Sequence, residues 1–270
     1  MAKIIYLLQL EWLKVKAYRP FLVLLALYAI LLPSFMYSAK KMPIPKEIGG
    51  NEILFMFPNV WGYLGYIGNW LVFFLMGFLA VQAISNETSN RTLRQNIING
   101  LSRTDFFLSK LSFLTLINVA ATAYYALWAL IFGFTNTETI YASKVFENVD
   151  TAGRYFIMCM GYSSLGLFLG VLFSRSILGL FVYFAYVMFI EKIIRYVLIR
   201  KVLGGKAMLF TPANSFNDLV PPPVPKILNQ TIEGSDIRLF LYPNEAIITA
   251  IIYTALFLYG AYYLLKTRDL

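Results

Sequence analysis

Several windows of this 270-residue chain hold about 20 predominantly apolar residues, the length a helix needs to cross a hydrocarbon core of ~30 Å. Inside lipid, a helix satisfies its own backbone N–H and C=O groups, so these windows dictate the architecture before any single residue does. Hydrophobic residues make up 59% of the chain and charged ones 14%, against roughly 25% charged residues in soluble domains. The fold class is an all-α polytopic membrane protein in a single domain, 1–270. Six transmembrane spans are expected at 20–37, 60–85, 105–134, 155–173, 176–197 and 245–265. Pro20 suits a helix start, and Pro33 predicts a kink in the first span.

Residues 1–19 are apolar but interrupted by charge. At helical spacing Ile4, Ile5, Leu8, Trp12 and Val15 share a stripe, with Lys3, Glu11 and Lys14 on another side. An interfacial helix in the headgroup plane fits this pattern. The alternative is one bent helix that runs on into the first span. No small-residue cleavage site follows, so a cleavable signal peptide is not expected.

The net charge is +9, but the Lys and Arg residues cluster at the ends of apolar runs. There they anchor helices and meet anionic membrane lipids, so no nucleic-acid partner is expected. Lys3, Lys14, Lys16, Arg19, Arg91, Arg94, Arg103, Lys110, Arg175, Lys266 and Arg268 fall on one side of a six-span arrangement. The positive-inside rule then puts both termini in the cytoplasm. The chain has no His, and Cys159 is its one cysteine. Ser-His-Asp and Cys-His catalysis, Cys/His metal sites and an intrachain disulfide are excluded.

Two parts of the sequence are too polar for their setting. Glu191, Lys192 and Arg195 lie along the fifth apolar run, where ionisable groups are expensive and often functional. They read as an external gate or substrate contact, or as an interfacial anchor; Glu191 and Arg195, spaced i, i+4, suit an ion pair. The following 198–244 segment reads as a partly re-entrant external excursion. In the spans themselves, Gly166 and Gly170 fit close helix packing, and Tyr124, Tyr125 and Trp128 read as packing residues.

The other polar part is the 86–104 connection, within SNETSNRTLRQNIINGLSRTDFFLSK. Ser89 reads as a cap for a short helix ending at Gly100, and Ser102 with Asp105 as a capping box that opens the third span. Leu93, Ile97, Ile98 and Leu101 fall near one face, which must bury against lipid headgroups or another protein. The pattern Glu87-x3-Arg91-Thr92-Leu93-Arg94, then Gly100-Leu101-Ser102-Arg103 and Lys110, resembles the first cytoplasmic loop of ABC-2 type permeases. It departs from that family at Arg91, where Gly is usual, and at Gly100, where Pro is common.

The resemblance implies the transmembrane subunit of an ATP-driven ABC transporter, a bacterial exporter of the cytoplasmic (inner) membrane. It implies a coupling helix in 86–104 that docks on a separate nucleotide-binding ATPase subunit through Arg91, Arg94 and Arg103, with Leu93 and Ile97 in its groove and Glu87 bracing the second span. ATP and Mg would sit on that partner, and a second copy or a related permease would complete the pathway as a dimer. The chain has no phosphate-binding loop of its own, since Gly204-Gly205-Lys206 lacks the leading Gly and the Ser/Thr. It is therefore not expected to be an enzyme by itself. The alternative is a membrane protein that works without an ATPase, such as a lipid-processing enzyme or secondary transporter, with Asp218, Glu233 and Asp236 as loose candidates.

Overall fold

The computed structural model describes residues 2–41, 50–89, 92–98, 100–173, 175–199, 206–222 and 240–267. Six helices are long and apolar enough to cross a membrane: Arg19–Lys41, Asn59–Ser89, Arg103–Asn136, Ala142–Leu172, Ser176–Val197 and Pro243–Thr267, called spans 1 to 6. The protein is multi-pass. Spans 2 and 4 form its centre, with 67% and 72% of their most apolar windows buried, against 22%, 22% and 11% for spans 1, 5 and 6. The outer three therefore give most of their apolar side chains to lipid.

Spans 2 and 4 approach closely because small residues line their contact. A Cβ added at Gly166 would lie 2.4 Å from the Gly77 carbonyl oxygen, and one at Gly170 would lie 2.9 Å from the Val81 carbonyl oxygen. Lipid tails offer no hydrophobic drive for two helices to associate, so this close backbone contact is itself the attraction. Gly166→Ala is accordingly expected to cost about 1–3 kcal/mol by overpacking, read as a lower melting temperature in detergent. Gly153→Ala is the control, since a Cβ there meets nothing within 4 Å.

Span 2 is not uniformly α-helical. A π turn covers Val72–Met76, and the Gly77 N–H at its end bonds the Phe74 carbonyl. The buried Tyr183 hydroxyl of span 5 donates to Phe73 O at 2.8 Å. A π turn in lipid is tolerated when a neighbouring side chain satisfies the displaced backbone group in this way. Further π turns at Tyr186–Ile190 and Ile194–Ile199 punctuate the end of span 5.

The polar connection differs from its sequence reading at one end. Span 2 continues as helix through Ser89, the residue that the sequence places just ahead of the short helix. Its polar residues stay helical by bonding back to their own turn: Ser85 Oγ donates to Val81 O at 2.6 Å and Thr88 Oγ1 to Ile84 O at 2.9 Å. A short helix then runs Thr92–Ile98. It stops at Gly100, whose φ of 96° is a left-handed conformation that favours glycine. Leu101 N–H bonds Asn96 O and Gly100 N–H bonds Ile97 O, both at 3.0 Å, the bond pattern of a Schellman stop. Ser102 Oγ accepts the Asp105 N–H at 3.0 Å and opens span 3.

The N-terminal helix, Ala2–Ala17, is separate from span 1, which starts at Arg19. Pro33 lies inside span 1 without ending it. Lys3 pairs with Asp105 at 2.8 Å, and Arg103 bonds carbonyls at the end of span 6. The N-terminal helix, the start of span 3 and the end of span 6 thus share one end of the bundle, called here the terminal end. At the opposite end, residues 206–222 fold inward. Their helix, Pro212–Asn217, buries Phe216 at 0% exposure against Gly161 and Tyr162 of span 4.

Candidate functional site: a charged joint and an opposite-end cavity

At the terminal end, four ionisable side chains meet beneath the short helix. Lys110, with its side chain 3% exposed, reaches Glu11 Oε2 at 2.5 Å and also bonds Glu87 Oε1. Lys14 reaches Glu87 Oε1 at 2.9 Å and Glu11 Oε1 at 3.1 Å. Two carboxylates thus face two ammonium groups, and the joint is neutral. That balance makes burial tolerable, since an unpaired charge here would cost several kcal/mol in lost solvation. Burial pulls the Lys14 ammonium down in pKa, but the facing Glu11 and Glu87 carboxylates outweigh it and hold Lys14 above the ordinary lysine range.

The joint ties four elements together. Glu11 and Lys14 come from the N-terminal helix, Glu87 from the end of span 2 and Lys110 from span 3. The short helix joins through Asn96, whose Nδ2 donates to Glu87 Oε2 at 3.1 Å, and Thr92, whose Oγ1 donates to Glu87 O at 3.2 Å. The side of the N-terminal helix that carries Glu11, Leu7 and Val15 faces the protein, while Ile5, Trp12 and Leu13 are exposed. A cavity of about 380 Å³ opens beside the joint, between Tyr18, Gln82, Asn86 and Gln95.

At the opposite end, Glu191 is buried and accepts two backbone N–H groups of the inserted helix, from Ala213 at 2.8 Å and Asn214 at 2.9 Å. Arg195 donates to Asn214 Oδ1, and Asn69 of span 2 donates to Asn217 Oδ1. Asn69, Trp70, Tyr162, Glu191, Lys192 and Arg195 help line a cavity of about 140 Å³.

A family model described as "ABC-2 family transporter protein" matches residues 7–190, more than half of the chain. The chain belongs to that family. No curated protein matches its sequence. It is a membrane-spanning permease subunit of an ABC transporter.

Glu87, expected to brace span 2, sits in the joint of the permease. Leu93, expected in a partner's groove, is 2% exposed and belongs to the permease's own core with Ile84, Phe106 and Leu265. Ile97 packs partly against the same cluster. These apolar side chains had to bury against something, and the ends of spans 2, 3 and 6 supply it. Arg103, expected to touch a partner, donates to Lys266 O at 2.6 Å and Leu265 O at 3.3 Å. A cation there meets the orphan carbonyls and negative dipole end of span 6. Arg94 is exposed on the outer side of the short helix, with Ile98. Arg91 lies outside the described residues.

The i, i+4 ion pair expected between Glu191 and Arg195 is not formed. The Glu191 carboxylate takes two backbone N–H groups instead, and the guanidinium takes an amide oxygen. Asp218, a loose catalytic candidate of the alternative reading, is buried, and its Oδ2 accepts Asn214 Nδ2 at 2.9 Å and Leu241 N–H at 3.0 Å. It holds backbone in place. Glu233 and Asp236 lie outside the described residues. Sequence reasoning missed Glu11 and Lys14 as joint residues. The signal available was an acid and a base on one side of an otherwise apolar helix, matched by Glu87 and Lys110 at the ends of two spans.

Proposed function

We propose that this permease is driven by a separate nucleotide-binding ATPase subunit that docks on the terminal end, with Thr92–Ile98 as its coupling helix. The observation that carries this reading is the two-sided character of that helix. Its inner side is fastened to the joint through Asn96 and Thr92 and to the core through Leu93. Its outer side presents Arg94 and an isoleucine, Ile98, that is 75% exposed. Arginine is enriched among the residues that dominate binding at protein interfaces.

In this reading ATP and Mg are bound by the partner. ATP binding draws two ATPase subunits together, each under one permease copy or one related permease. A push on the coupling helix passes through Asn96 and Glu87 to spans 2 and 3 and the N-terminal helix as one unit. The terminal end, rich in Lys and Arg, faces the cytoplasm of a bacterial inner membrane, and transport is outward. Residues 206–222 are the re-entrant gate. They reach the level of Asn69, ten residues into span 2, or roughly 15 Å at the helical rise.

The test is co-purification of ATP-hydrolysing activity with the tagged permease from its native membrane. The pair Arg94→Glu with Ile98→Asp is expected to reduce it at least tenfold while the melting temperature stays unchanged. Arg103 is unsuitable for this test because its loss loosens span 6. Full retention of the ATPase by the double variant would leave the outer side of the helix as a lipid-headgroup surface and end the docking assignment.

A further inference from the structure

We infer that the opposite-end cavity between spans 2 and 5 and the inserted helix is a binding site for the phosphate headgroup of an anionic lipid. The first argument is charge. Lys192 and Arg195 both line the cavity, and the one carboxylate in its wall, Glu191, is occupied by two backbone N–H groups. Lys192 is exposed and forms no ion pair among the described residues, and the Arg195 guanidinium, with five N–H donors, is held through Nη1 by Asn214 Oδ1. Two cationic donors with spare capacity face one carboxylate that is already engaged. Phosphate oxygens supply the acceptors that such donors lack.

The second argument is size and setting. The cavity is about 140 Å³, below the ~300–1,000 Å³ of sites that enclose a drug-sized ligand. It takes a headgroup and leaves the rest of the molecule outside. Around it the surface is apolar and exposed: Trp70 at 50%, Phe189 at 55% and Ile193 at 59%. Trp70 stacks on Phe74, with ring centroids 6.5 Å apart, which holds one wall rigid. Acyl chains lying along this face would keep their phosphate at Lys192. The π turns at Tyr186–Ile190 and Ile194–Ile199 flank Lys192, the second contains Arg195, and π turns recur at functional positions.

The experiment is native mass spectrometry of the full permease in detergent, titrated with dioleoylphosphatidic acid, dioleoylphosphatidylcholine or inorganic phosphate. One phosphatidic acid is expected to be retained, with retention at least tenfold weaker in Lys192→Glu. Phosphatidylcholine, whose headgroup carries its own cation, should bind at least tenfold more weakly, and millimolar inorganic phosphate should not displace the lipid. Lys192→Arg should retain binding, and the melting temperature should report intact folding of both variants. Equal retention by wild type and Lys192→Glu would overturn the site. Displacement by inorganic phosphate would overturn its assignment to a lipid. The measurement needs no ATPase, so its failure leaves the docking reading standing, and the reverse holds equally.

Discussion

Lys110→Met is expected to be the most damaging single substitution at the terminal end, costing about 3–5 kcal/mol of stability. Lys110 is the residue on which the joint converges: it touches both carboxylates and is 3% exposed. Methionine fills its volume but leaves Glu11 and Glu87 with Lys14 as their one cation. Lys14 already bonds both of them, so it cannot compensate by moving. The expected result is a purified permease that melts far below wild type and loses monodispersity in detergent. The double variant Lys110→Met with Glu87→Gln removes one charge of each sign and restores neutrality around Glu11 and Lys14. It should be more stable than Lys110→Met alone, an inversion that packing loss cannot produce and that a double-mutant cycle quantifies. If the double variant is no better than the single one, the joint is held by packing and its charges are incidental.

The parts of this protein that were legible in its sequence are those set by neighbours along the chain. Apolar length gives the six spans, Gly100 gives a helix stop and Ser102 gives a cap, because each signal acts within a turn or two. Family resemblance pointed to a short helix within 86–104, and Thr92–Ile98 is helical there. An amphipathic helix has an apolar side in any setting, and the sequence does not say which surface covers it; here Leu93 turns into the permease's own core. The same ambiguity hid the orientation of the N-terminal helix. In a soluble protein the apolar side turns inward; here Ile5, Trp12 and Leu13 face out, and Glu11 turns in toward Lys110. Glu11 and Lys110 are 99 positions apart, so their pairing appears only after the N-terminal helix has packed on span 3. At Glu191 a local rule lost to a stronger partner. An i, i+4 arginine offers a few tenths of a kcal/mol, whereas hydrogen bonds to a charged group contribute about 1.5–3 kcal/mol each.

That difference sets up the second large effect, which is local unfolding instead of global loss. Glu191→Gln offers one acceptor oxygen where the carboxylate offered two, and its amide group turns a donor toward a backbone donor. One of the Ala213 and Asn214 N–H groups then has no partner in a buried setting. With about 1.5–3 kcal/mol lost, amide exchange across 206–222 should accelerate roughly 10–100-fold, at 1.4 kcal/mol per factor of ten. Hydrogen-exchange mass spectrometry of the detergent-solubilised permease reads this directly, with spans 2 and 4 keeping wild-type protection. Arg195→Gln should have a smaller effect, because it removes a contact to the Asn214 side chain and leaves both backbone bonds to Glu191 in place. Unchanged protection of 206–222 in Glu191→Gln would show that Phe216 against Gly161 and Tyr162 anchors the segment without the carboxylate. The two outcomes carry different consequences for transport. A segment held chiefly by the Glu191 carboxylate responds first to movement of span 5, whereas one held by Phe216 responds first to movement of span 4.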